Sequence, residues 1–170
     1  QATDTPTNNF CTLNPLNKHS GATLSEGNLR VHGASGYAPC MSTIPIPIKG
    51  LWYAECKVIS SATNWVSGIY RTTIRGDSHA DGDDARMVYD ITGNIIISDE
   101  TNDTGNASLS ANDILGIAVD MDTPSLKFYK NGSQEGDTIT SSTLTTYQWQ
   151  FGSDHNDAIA EWNFGNPPFT

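Results

Sequence analysis

The stretch from Asn112 to Gly132 constrains this chain most, because it reads as two strands that must fold back on each other. Ile114, Leu115, Ile117 and Val119 form an apolar run of strand length around Gly116. Asp120, Pro124 and Ser125 then supply turn residues, through local hydrogen bonds or a preset φ. Leu126 to Lys130 alternates apolar with polar, and Asn131-Gly132 is the dipeptide that accepts positive φ at the close of a strand. A lone two-stranded ribbon is marginal in water. The rest of the chain must therefore provide a face for it to pack on.

The length of 170 residues suits one domain, which at this size buries roughly 70% of its unfolded surface. Apolar residues make up only 36%, while Thr, Ser, Asn, Asp and Gly are abundant. That balance favours many short strands with polar loops over a helical bundle. No run approaches the roughly 20 apolar residues that span a bilayer, which predicts a soluble chain with no membrane insertion. The start, Gln1-Ala2-Thr3, has neither an initiator Met nor a charged and then apolar leader, and reads as a processed protein or an excised domain. Lys plus Arg total 9 against 19 for Asp plus Glu, a formal net charge of -10. Such a field repels a phosphate backbone, so nucleic acid is excluded as a partner. Cys11, Cys40 and Cys56 lack the spacing of a zinc site. One disulfide with a free thiol and three separate thiols both fit.

In chain order, residues 1–20 read as a polar arm anchored by Phe10, Leu13 and Leu16, and 21–170 as the sandwich. Ile44-Pro45-Ile46-Pro47-Ile48 is an edge strand or an extended connector, since proline cannot donate to a ladder. Lys49 to Ile59 and Trp65 to Tyr70 read as strands rich in aromatic and β-branched residues. Met87–Ile91 and Asn94–Ile97 form a hairpin about Thr92-Gly93, and Tyr147–Phe151 and Ala158–Phe164 add two strands. No window shows the helical period of about 3.6, and no repeat is visible. The prediction is an all-β, antiparallel sandwich or barrel.

Four stretches, in order, resemble the SPRY domain family. Gly50-Leu51-Trp52-Tyr53-Ala54-Glu55 is similar to its Gly-x-x-Tyr-x-Glu strand, and Val66-Ser67-Gly68-Ile69 to a strand with a central Gly. Asn112 to Asp120 with Phe128 to Gly132 resembles the family's Gly-Asp hairpin closed by Asn-Gly, with Asn112 in place of the usual Gly. Asn163-Phe164-Gly165-Asn166-Pro167-Pro168-Phe169 resembles the closing motif, with Asn166 in place of Gln. The resemblance implies a bent antiparallel two-sheet β-sandwich that binds partners through loops and does not catalyse. The opening, Asp4 to Leu16 with Gly21 to Leu29, resembles SPRY-containing segments of bacteriophage tail-fibre and head-surface proteins.

Two groups are candidate ligand contacts at the loop end. Trp65, Tyr70, Arg71 and Arg75 form one; Trp149, Phe151, Asp154 and His155 form the other, near where family members carry an aromatic binding residue. A rigid aromatic beside polar groups suits a peptide or the apolar face of a sugar. The competing reading makes Trp65 and Trp149 inward strand residues; Trp52 and Trp162 are assigned to the core. Asp77, Asp81, Asp83 and Asp84 are weak Ca²⁺ candidates. Their spacing departs from the EF-hand, and a solvated acidic loop is the simpler reading. Arg75-Gly76-Asp77 and the glycosylation-type sites at Asn102, Asn106 and Asn131 read as coincidences of composition.

No nucleophile motif accompanies His19, His32, His79 or His155. Glu55 and Glu161 are the carboxylates whose strand positions could make a glycosidase pair, although surface pairing with Lys is simpler. The expectation is a non-enzymatic module without cofactor on a phage virion surface or tail fibre, extracellular, recognising a host polysaccharide or protein. Two alternatives accompany it. One is a structural or decoration domain contacting neighbouring virion proteins, with homo-oligomers formed through the parent fibre. The other is a cellular SPRY adaptor that binds short peptides.

Overall fold

Period-two alternation puts alternate side chains on opposite faces of a strand, and here it sorts one apolar set between two layers. The computed structural model describes residues 10–33, 38–60, 64–73, 86–98, 100–165 and 169. In chain order the strands are β1 (Leu13–Lys18), β2 (Ala22–Ser25), β3 (Arg30–Gly33), β4 (Ala38–Ser42), β5 (Leu51–Ser60), β6 (Asn64–Arg71) and β7 (Arg86–Asp90). They continue as β8 (Ile95–Ile97), β9 (Glu100–Asp103), β10 (Ile114–Asp120), β11 (Ser125–Lys130) and β12 (Ser133–Thr140). A single helical turn, α1 (Thr143–Thr146), precedes β13 (Trp149–Asn156) and β14 (Ala158–Asn163). The first sheet runs β1-β4-β13-β6-β7-β8-β9, and the second β12-β11-β10-β5-β14-β3-β2. Their ladders are antiparallel, as in the expected two-sheet sandwich.

The core lies between the sheets. The second sheet contributes Ala54, Cys56 and Val58 of β5, Leu115, Ile117 and Val119 of β10, Phe128 of β11 and Trp162 of β14. The first contributes Trp65, Ile69, Met87, Tyr89, Trp149 and Phe151. Two contacts bridge the layers directly. The Trp162 indole N–H donates to Ser153 Oγ at 3.3 Å, and Cys56 Sγ lies 3.5 Å from Ser67 Oγ. All three thiols are free, and burial pushes those of Cys40 and Cys56 up to about 12. Unlike the second sheet, the first also buries its opposite face, where Met41, Val66, Tyr70 and Val88 form a second cluster. That is why Trp65 to Tyr70 reads as an almost unbroken apolar run rather than an alternation.

Four strands were not foreseen: β1, β4, β9 and β12. The last two are polar (Glu-Thr-Asn-Asp and Ser-Gln-Glu-Gly-Asp-Thr-Ile-Thr) and lie at sheet edges, where ladder bonds form without an apolar face. Four residues of α1 are too few to show a helical period. Part of the expected arm is strand, since β1 pairs with β4 at the edge of the first sheet, where Pro15 is tolerated. Leu13 anchors it as expected, but Leu16 is 95% exposed. The 44–48 segment is a connector, held by the Ile46 N–H donating to the Trp149 carbonyl at 2.7 Å.

The organising hairpin is locked at its open end. Asp113 accepts hydrogen bonds from Asn131 Nδ2 at 2.7 Å and from the Ser110 N–H at 2.8 Å, and pairs with Lys130 at 3.1 Å. Asn131 Oδ1 accepts from the Ile114 N–H at 2.9 Å, while Asn131 and Gly132 take φ of 50° and 85° in the turn to β12. The Asp opening the first half of the motif is thus tied to the Asn closing the second. Burial opposes ionisation of Asp113, but the hydrogen bonds from Asn131 and Ser110, with Lys130, outweigh it and hold the carboxyl below its ordinary 3.8. A depressed folded value stabilises above the unfolded value, and that stability is lost as pH falls through the folded one. Asp113→Asn is therefore expected to cost about 1–2 kcal/mol at pH 7. The gap from the parent should close on acidification below pH 3.8. Urea midpoints at neutral and acid pH check this; a gap independent of pH would contradict it.

Candidate functional site

Trp65, Tyr70, Trp149 and Asp154 are fully buried, and Phe151 is buried beside them. Strands β6 and β13 do bring the two predicted groups together, pairing Arg71 with Trp149, Tyr70 with Gln150 and Val66 with Asp154. Yet Trp65, Trp149 and Phe151 face the core between the sheets, and Tyr70 and Asp154 are enclosed on the opposite face. The expectation that these five meet a ligand is corrected: both faces of this part of the sheet are covered. Trp149 also donates its indole N–H to the Thr143 carbonyl of α1 at 3.1 Å. Burial raises the Tyr70 phenol well above its ordinary value, with the Asp154 carboxylate adding to the effect. Of the predicted contacts, Arg71 is partly open, its guanidinium 3.4 Å from the centre of the Tyr147 ring. Arg75, the side chain of His155, and Asp77, Asp81, Asp83 and Asp84 lie outside the described residues. Among the described residues no cluster could hold a metal ion, and no helix is long and apolar enough to cross a membrane.

Exposed aromatic surface lies elsewhere, on the outer face of the second sheet. Register fixes its layout. Across the sheet, Lys127 of β11 pairs with Ala118 of β10, which pairs with Tyr53 of β5. One step along, Tyr129 pairs with Gly116, which pairs with Glu55. The result is a trough running along β10. Its floor is Ala118, one wall is Leu51 and Tyr53, and the other is Lys127 and Tyr129, with a volume of about 290 Å³ and Trp52 at its rim. Leu51 is 76% exposed, Tyr53 51% and Trp52 38%. The core assignment of Trp52 is thus also corrected, because β5 enters the sheet here and the indole N–H turns back to the Lys49 carbonyl at 2.8 Å. Tyr53 leans over the hydrogen face of Gly116, a close approach that only glycine permits.

The carboxylates on and beside this face accept hydrogen bonds from within the domain. Glu55 accepts from Tyr53 Oη at 3.2 Å and from Asn163 Nδ2 at 3.3 Å. Glu161 holds Arg30 at 2.6 Å. Asp120 caps its turn by accepting from the N–H groups of Asp122 and Thr123 at 2.9 and 2.8 Å. Both carboxylates considered for a glycosidase pair are therefore engaged with neighbours. Sequence reading missed the trough, although one signal was present. Tyr129 stands at a polar-parity position of β11 beside Lys127, and Leu51-Trp52-Tyr53 is apolar on both parities.

A family model described as the SPRY domain matches residues 51–157. Ran-binding protein 9 of Xenopus tropicalis is 29% identical over 91% of this chain, and Ran-binding protein 10 of Danio rerio 26% identical over the same share. The chain spans 30% and 27% of their lengths. Among solved structures, the SPRY domain of human HERC1 superposes with a TM-score of 0.76 at 13% identity, covering 92% of this chain and 99% of that one. Stonustoxin superposes with a TM-score of 0.65 at 19% identity, over 90% of this chain and 27% of that one. Both structural likenesses concern the fold alone.

Proposed function

Because this chain belongs to the SPRY domain family, we propose that it is a non-catalytic protein-binding module working through the trough on its second sheet. One observation carries the reading: Leu51, Trp52 and Tyr53 stand exposed together, opposite Tyr129, whereas Trp65, Trp149 and Trp162 are enclosed in the core. A grouped aromatic surface of this kind marks an interaction site. The relatives are named for binding Ran, and what carries over is protein binding rather than that partner, since the chain spans under a third of them. They are frog and fish proteins, which favours the cellular adaptor over the virion setting.

The loop end keeps a second claim through the stacked pair Arg71 and Tyr147. Affinity capture separates the two surfaces. The immobilised chain is exposed to vertebrate and bacterial lysates, beside a Leu51→Ser/Tyr129→Ser variant and an Arg71→Ala variant. Expected is a reproducible set of vertebrate proteins that the trough variant loses at least tenfold and the Arg71 variant retains. Loss in the Arg71 variant alone would move the site to the loop end, and retention from bacterial lysate alone would restore the virion reading.

A further inference from the structure

We propose that Asn131 is a deamidation site held in check by Asp113, and that its conversion to aspartate turns the tie across the open end of the hairpin into a repulsion. Asn131 is the one asparagine in the sequence that is followed by glycine. Deamidation starts when the next residue's backbone nitrogen attacks the carboxamide carbon, and glycine, without a side chain, obstructs that approach least. Both residues are exposed, and an added Cβ at Gly132 would meet nothing within 4 Å. Water therefore reaches the turn. In the reaction the Gly132 nitrogen bonds to Asn131 Cγ, the Cγ–Nδ2 bond breaks, and the departing nitrogen takes up the Gly132 amide proton and leaves as ammonia. Water then opens the cyclic imide at either carbonyl, giving aspartate or isoaspartate with no change of oxidation state.

The fold opposes the first step. Asn131 Nδ2 donates to Asp113 Oδ1 at 2.7 Å, its Oδ1 accepts from the Ile114 N–H at 2.9 Å, and its own N–H donates to the Ile114 carbonyl at 2.9 Å. A carboxamide held at both ends has to break a hydrogen bond before its carbon can turn onto the Gly132 nitrogen. Release of the Asp113 bond frees one end, and exposed turns open locally far more often than cores do. The product cannot close again in the same way. An aspartate at 131 offers an acceptor where Asp113 needs a donor, and two carboxylates at hydrogen-bond distance repel. Lys130, 3.1 Å from Asp113 Oδ2, would then serve both. Isoaspartate goes further, since it routes the main chain through Cγ and lengthens a two-residue turn whose flanks, Lys130 and Ser133, are paired. Each event is thus a one-way loosening of the contact between the start of β10 and the end of β11.

Peptide mass spectrometry of the 170-residue chain, aged at mildly alkaline pH, follows the change at Asn131. Expected is modification of Asn131 ahead of every other asparagine when the chain is unfolded in guanidinium chloride, and at least tenfold more slowly when it is folded. Asp113→Ala, verified as folded by its thermal transition, should recover much of the unfolded rate. Ile69→Val, a mild loss of packing in the other sheet, should not. Acceleration shared by Ile69→Val would assign the protection to the fold as a whole and overturn the role of Asp113. Equal rates in the folded and unfolded parent overturn the check, and an Asn131 that survives in the unfolded chain overturns the site. The consequence is tested separately with Asn131→Asp, which should lower the urea midpoint. Adding Asp113→Asn, which exchanges amide and carboxylate across the same contact, should restore part of it. A double variant no more stable than Asn131→Asp alone would overturn the repulsion.

Discussion

Trp162→Ala is expected to destabilise the domain by about 3–5 kcal/mol, the range for removing a large aromatic from a close-packed core. That is a large share of a total that is about 5–15 kcal/mol for a typical domain. Trp162 is only 1% exposed, stacks on Phe164 with ring centres 5.2 Å apart and planes within 5°, and lies 6.4 Å from Phe151. Its indole N–H also reaches Ser153 on the other sheet. Truncation therefore leaves a cavity between the layers and orphans a buried hydroxyl partner. Trp52 is the internal control. At 38% exposure, with its indole bound only to the neighbouring Lys49 carbonyl, its replacement by Ala should cost under about 1.5 kcal/mol. Urea unfolding of both variants measures the contrast, and equal losses would refute the assignment of the two faces.

A pair of glycine substitutions gives the second large effect. Gly68 sits in β6 where an added Cβ would collide with the Met87 carbonyl oxygen and lie 2.7 Å from the Val88 Cα. Both are backbone atoms of the adjacent strand, so Gly68→Ala must force β6 and β7 apart. The expected cost is about 3 kcal/mol, at the upper end of overpacking. Gly116 looks equally crowded, yet an added Cβ there meets the end of the Tyr53 side chain, which can swing away. Gly116→Ala should therefore cost under about 1 kcal/mol while displacing a wall of the trough. Thermal unfolding checks the first half of this contrast and retention of the captured proteins the second. A Gly68→Ala protein as stable as its parent would contradict the close pairing of β6 and β7.

The residues that declared the fold were those buried on one face only. Strands β5, β10, β11 and β14 alternate because one side meets the core and the other meets water or the trough. Edge strands β9 and β12 are polar and carry no apolar alternation, so nothing in Glu100–Asp103 or Ser133–Thr140 distinguished strand from loop. The site was harder to read for a related reason. An aromatic residue on a strand is equally suited to a core and to a ligand, and sequence does not say whether a sheet is covered on one face or two. The first sheet is covered on both, which enclosed Trp65, Tyr70 and Trp149. The second is open on one, which left Tyr53 and Lys127 in the trough. Lys127 and Tyr53 lie far apart in sequence and two strands apart in the sheet. Only strand order makes them neighbours.

The most direct test of the central claim is an amide chemical-shift titration of the labelled chain with a protein retained in the affinity capture. The account predicts that the largest shifts gather at Tyr53, Gly116, Ala118, Lys127 and Tyr129. Shifts gathered at Arg71, Thr72, Tyr147 and Gln148, with the outer face of the second sheet silent, would contradict it.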